Sequence, residues 1–147
     1  MPTASTLVYV LNGPNLNLLG TREPAVYGTD TLDDIAAMLD DRARSLGLTV
    51  DLRQSNHEGH LIDWLHEAGA RSARAVILNA GALTHTSIAL HDATKGMATP
   101  VIEVHLSNPH ARERFRHRSW IAPVARATIA GLGPLGYRLA LDAAATF

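Results

Sequence analysis

Short runs of β-forming apolar residues alternate with helical patterns along the chain, and this alternation limits the possible folds more than any other feature. Leu7–Leu11 is an apolar run stopped by the turn formers Asn12-Gly13-Pro14-Asn15, so it reads as a buried strand. A loop then runs past Gly20, Arg22, Glu23, Pro24, Tyr27 and Gly28, long for a strand-to-helix connection and therefore read as a functional lid. The helix that follows is capped by Asp30 or Thr31, carries Asp33 and Asp34 in its first turn, and spaces Leu32, Ile35, Ala36 and Leu39 along one face; Gly47 stops it. Leu48–Arg53 alternates as a second strand, and Glu58 to Ala70 reads as a helix. Ala75–Leu78 is a third strand, Ser87 to Lys95 a helix closed by Gly96, and Pro100–Val104 a fourth strand ending at His105. After a charged segment, Asn108 to Arg118, Ala127–Ala130 makes a fifth strand, and Pro134 suits the first position of a last helix running to Ala145.

Strands and helices in this order predict an α/β fold: a five-stranded parallel sheet in the flavodoxin-like order 2-1-3-4-5, with right-handed crossovers and helices on both faces. At 147 residues, without repeats or linkers, the chain is expected to be a single domain, 1–147. A formal charge of -1 supplies no global field for nucleic acid or an anionic membrane, and neither is an expected partner. The absence of cysteine excludes disulfides, thiolate metal sites and thiol nucleophiles. Met1 to Thr6 has no basic region and Leu7–Leu11 is too short for a signal core, so a cytoplasmic location is expected.

Ligands of such sheets bind beyond the carboxyl ends of the strands, at the switch point between strands one and three. Those ends supply Asn12 to Asn15, Asn79 to His85 and His105 to Asn108, a polar set uncharged apart from its histidines. A phosphorylated receiver would need an acidic pair after strand one and a lysine after strand five; a flavin site would need more stacking aromatics than Tyr27. Gly131-Leu132-Gly133-Pro134-Leu135-Gly136 matches G-x-G-x-x-G, but too little chain follows for a second strand and a ribose-binding acid, so it reads as a tight turn. His57, His60 and His66 invite a metal-dependent hydrolase, although their spacing is not H-E-x-x-H and Trp64 and Leu65 mark the opposite side as buried. Arg112, Arg114, Arg116, His117 and Arg118, with Phe115 and Trp120, suggest either an RNA or carboxylate-binding surface or a solvated charged helix with one Arg turned inward.

Two pairs carry acid–base chemistry. Tyr27 lies five residues after Arg22, and a guanidinium within reach stabilises a phenolate and makes tyrosine a usable base. Glu103 and His105 point to the same side of a strand, so the carboxylate can orient the imidazole. A base and an acid on facing loops suit an elimination.

Four segments, LNGPNLNLLGTREPAVYG (11–28), NAGALTHTSIALHDA (79–93), IEVHLSN (102–108) and HARERFRHRS (110–119), closely resemble the type II 3-dehydroquinate dehydratases, a likeness running from about Leu7 to Leu141. The resemblance implies a flavodoxin-like fold, a homododecamer built as a tetramer of trimers, and anti elimination of water from 3-dehydroquinate to 3-dehydroshikimate without metal or organic cofactor. It implies that Tyr27 takes the proton from carbon 2 with Arg22 lowering its pKa, and that His105, oriented by Glu103, protonates the departing hydroxyl. Asn15, through a water, would stabilise the enolate. Asn79, His85, Leu106, Ser107 and Arg116 would bind substrate, Arg112 would support the pocket, and Asp92 would reach a neighbouring subunit's site. Ala82 stands where many relatives have glycine and Leu106 where isoleucine is common. Biosynthesis of aromatic compounds and breakdown of quinate use the same elimination, and the sequence leaves both open.

Overall fold

The computed structural model describes residues 5–147. Strands β1 (Leu7–Asn12), β2 (Thr49–Gln54), β3 (Ala75–Asn79), β4 (Val101–His105) and β5 (Ala127–Ala130) pair in parallel in the order β2-β1-β3-β4-β5, as the alternation predicts. The central strands are almost wholly buried because both of their faces are covered, and they are apolar apart from Glu103 within β4 and the strand-end residues Asn12, Asn79 and His105. Val8, Val10, Ile77 and Val104 meet Ile35 and Leu39 of α2 (Leu32–Leu46) and Tyr137 and Leu141 of α5 (Leu135–Ala144). Tyr9, Leu11, Val76 and Leu78 meet Leu61 and Leu65 of α3 (Glu58–Ala70) and Leu90 of α4 (Ile88–Lys95). A short helix, α1 (Pro24–Tyr27), lies within the long loop after β1.

Local chemistry sets the ends. Thr31 rather than Asp30 caps α2, in a reciprocal pair with Asp34, and Gly47 closes the helix at positive φ. Ser87 caps α4 by accepting from the Leu90 N–H. β1 and β3 run one residue beyond the expected ends, to Asn12 and Asn79; β2 and β4 each begin one residue later than expected, and β2 and β4 extend to Gln54 and His105. α5 begins at Leu135, with Pro134 just outside it, because residues 131–134 form a turn with Gly131 and Gly133 at positive φ; Leu135 and Gly136, expected in that turn, open the helix instead.

The charged segment departs from expectation. Asn108 to Arg118 is not an α-helix but two 3-10 turns, Pro109–Ala111 and Arg114–Arg116. The Asn108 side chain caps the first turn at the His110 N–H, and Arg112 then takes an extended backbone that stops helix propagation.

At the switch point the loops after β1 and β3 interlock. The Gly13 N–H donates to the Asn79 carbonyl at 2.8 Å, and a Cβ at Gly13 would lie 2.3 Å from the Ala80 carbonyl oxygen. Gly81, at φ +60°, faces the Pro14 carbonyl in the same way. Gly13→Ala should therefore cost about 2–3 kcal/mol, seen as a fall of roughly 5–10 °C in the thermal midpoint; an unchanged midpoint would contradict the interlock.

Candidate active site

Ten of the residues singled out in the sequence line one cleft beyond the carboxyl ends of β1, β3 and β4: Asn15, Arg22, Tyr27, Asn79, His85, His105, Leu106, Ser107, Arg112 and Arg116. The chain carries them there on three loops that leave adjacent strands. Pro14, Leu16, Gly81, Ala82 and Pro109 complete the lining. Pro14, Gly81 and Ala82 fall within the strand-end segments expected at the site, whereas Leu16 and Pro109 lie outside them and contribute shape, which residue type alone does not mark.

Asn15 sits in the left-handed region at φ 70°, which asparagine tolerates better than most residues. Its N–H donates to the Asn56 side chain at 3.0 Å, and Gln54 donates to both Asn56 and the Gly13 carbonyl. Two cations stand close to the Tyr27 ring. The Arg22 guanidinium stands 5.2 Å from its ring centroid and that of Arg112 5.1 Å. Arg112 also donates to the Ser107 hydroxyl, and Arg116 pairs with Glu113. Two arginines of the charged segment thus reach the cleft, where the residue pattern alone suggested one.

Behind the cleft, His105 Nε2 donates to Glu103 Oε2 at 2.8 Å, which leaves Nδ1 as the ring nitrogen available to a bound molecule. Glu103 is buried, and it also accepts from the Ser119 hydroxyl at 2.6 Å and the Thr128 hydroxyl at 3.1 Å. Burial, the largest influence on this carboxyl, pushes its pKa up; hydrogen bonds from His105 and Ser119, the His105 charge and the Thr128 hydroxyl together outweigh it and hold the pKa below the ordinary value. Glu103 is therefore a carboxylate. Thr128 lies opposite Glu103 in the β4–β5 register, a signal available once strand order is known, whereas Ser119 comes from a loop that carries no such signal.

His85 stacks against His105 with ring centroids 6.5 Å apart, and its Nδ1 donates to the Arg118 carbonyl at 2.7 Å. Burial lowers its pKa and the Arg118 hydrogen bond raises it; the nearby His105 and Arg116 charges help keep the net shift downward, so His85 is neutral near pH 7.

Not everything converges. Asp92 is exposed on α4, beside His66 and Met97 and outside this cleft of its own chain. His57 lies at the start of α3, and His60 Nδ1 is engaged by the Ser55 hydroxyl at 2.7 Å; among the described residues no group of three or more such side chains is placed to hold a metal ion. The basic cluster is divided, with Arg112 and Arg116 in the cleft and Arg118 stacked on Trp120 at 3.9 Å. Among the described residues no helix is long and apolar enough to cross a membrane.

A parallel α/β sheet with a polar, arginine-rich cleft at its switch point defines a small-molecule site of the flavodoxin-like class. Comparison with known proteins narrows the class. The model of the class II dehydroquinase family matches residues 6–145, so the chain belongs to that family. It is 64% identical to 3-dehydroquinate dehydratase 2 of Ralstonia nicotianae, over 94% of this chain and 92% of that protein. It is also 64% identical to a 3-dehydroquinate dehydratase of Chelativorans sp., over 94% of this chain and 95% of that protein. The crystal structure of type II dehydroquinase from Propionibacterium acnes superimposes with a TM-score of 0.93 at 47% identity, covering 99% of this chain and 100% of that one.

The depressed Glu103 pKa has a sign that can be checked. The stability it contributes is fully present above the ordinary carboxyl value of 4.5 and is lost as pH falls through the lower folded value. Urea unfolding between pH 6 and pH 3 should show this acid-side loss in the parent protein and a shallower one in Glu103→Gln; parallel curves would contradict an ionised Glu103.

Proposed function

We propose that the chain is a hydro-lyase that removes water from 3-dehydroquinate to give 3-dehydroshikimate, by anti elimination through an enolate. The observation that carries the reading is the meeting, in one cleft, of Tyr27 beneath two guanidiniums with His105 held by an ionised Glu103, in a chain 64% identical to a 3-dehydroquinate dehydratase.

The roles follow from the chemistry. The hydrogens on carbon 2 lie beside the ketone at carbon 3, so removing one leaves an enolate. Tyr27 is the base, and Arg22 and Arg112 offset the negative charge that its phenolate carries. Asn15, through a bound water, stabilises the enolate oxygen. The enolate electrons then return to form the double bond between carbons 1 and 2, and the hydroxyl on carbon 1 departs with a proton from His105. Glu103 engages Nε2 and directs the other ring nitrogen to that task. Asn79, His85, Leu106, Ser107 and Arg116 bind substrate, with Arg116 suited to a carboxylate.

No step calls for a cofactor or metal, or for a lysine; the one lysine, Lys95, ends α4. Asp92 completes a neighbouring subunit's site within a homododecamer, a tetramer of trimers, for which light scattering should give twelve times the chain mass; a monomer with full activity would contradict it. A cytoplasmic location fits this reading, in either biosynthesis of aromatic compounds or quinate breakdown.

Tyr27→Phe should lower kcat by about 10²–10⁴-fold with little change in KM, followed by the ultraviolet absorbance of the product's conjugated enone with a chelator present. Near-parental turnover in a folded Tyr27→Phe protein would remove tyrosine as the base, and a chelator-sensitive parent would reopen a metal-dependent reading.

A further inference from the structure

Beneath the cleft, three polar side chains form a buried chain of four hydrogen bonds whose direction is set at both ends by backbone. At one end the Arg53 carbonyl can only accept, so Asn12 turns its amide nitrogen to it, at 3.1 Å. Asn12 Oδ1 is then an acceptor, and the Tyr137 hydroxyl donates to it at 2.6 Å. With its proton committed, the Tyr137 oxygen accepts from Asn79 Nδ2 at 2.8 Å. At the other end the Gly81 N–H can only donate, and it meets Asn79 Oδ1 at 3.2 Å. Asn12 and Tyr137 are fully buried, Asn79 nearly so, and burial pushes the Tyr137 phenol well above the ordinary tyrosine range, so it remains a neutral donor.

We infer that Tyr137 is a positioning residue for substrate recognition: with Asn12 it holds the Asn79 amide nitrogen in place, so that its second N–H is left to offer the cleft. Asn79 lines that cleft, and its carbonyl oxygen already accepts from the Gly81 N–H. An N–H held at this point suits a ligand oxygen that accepts, such as a carboxylate or ketone oxygen. The inference rests on the dehydratase reading, since it concerns how that substrate is held. Tyr137 comes from α5, 58 residues beyond Asn79 and 125 beyond Asn12, and contributes nothing to the lining itself.

Tyr137→Phe removes the acceptor that holds Asn79 Nδ2 and leaves the amide fixed only through the Gly81 N–H. It should raise KM for 3-dehydroquinate about tenfold, the value of roughly one hydrogen bond to a charged group, with kcat within about twofold. The same change leaves Asn12 Oδ1 unpaired and lowers stability, which a merely structural role would also produce. KM and kcat separate the two when assayed well below the thermal midpoint, because a protein that is only less stable loses active fraction, and so apparent kcat, while the KM of the folded molecules is unchanged. A raised KM with kcat retained is the expected result. A parental KM, or a fall in kcat alone, would overturn the inference. A parent protein that does not dehydrate 3-dehydroquinate would instead overturn the functional reading.

Discussion

The loops after β1 and β3 touch where they leave the sheet in opposite directions, and the site is arranged around that contact. With Gly13 against Ala80 and Gly81 against Pro14, there is no room for a side chain between them. The close approach places Asn15 and Asn79 on facing walls, and the next strand along brings His105 to the same rim. A parallel sheet of this order opens such a gap by its topology alone. The glycines make the gap narrow enough for small polar side chains to span it.

Charge is distributed unevenly about this gap. Arg22, Arg112 and Arg116 face the cleft, and the acid that serves it, Glu103, is buried behind His105 rather than exposed beside the arginines. An anionic ligand thus meets positive charge at the mouth, while the carboxylate acts on the ligand only through the imidazole. Glu103 survives burial as an anion because three donors meet its two oxygens. Tyr137 shows the complementary case, a buried phenol kept neutral and used for its direction rather than its charge.

Much of this was legible in the residues. Periodicity gave the five strands and their order, because buried parallel strands are largely apolar runs and the helices between them keep helical spacing, two of them, α2 and α4, with a side-chain cap. The Glu103–His105 pair followed from two-residue strand spacing. The charged segment was misread as a helix because its composition suits one; Pro109, the Asn108 cap and the extended Arg112 prevail locally, and they allow both Arg112 and Arg116 to turn inward. Ser119, Thr128 and Tyr137 escaped notice for a different reason, as did the part that Asn12 plays. Each acts through another side chain across a distance in sequence that periodicity does not record, and Tyr137 in particular looks like one more core residue of its helix.

The proposed elimination requires Tyr27 and His105 to act from opposite faces of the ligand, and deuterium at carbon 2 of 3-dehydroquinate reads that geometry directly. With substrate labelled stereospecifically at one of the two carbon-2 positions, mass spectrometry of the product should show loss of the deuterium that lies anti to the carbon-1 hydroxyl and retention of the other. Loss of the label on the same face as the hydroxyl would contradict the assignment of Tyr27 and His105 as opposed base and acid.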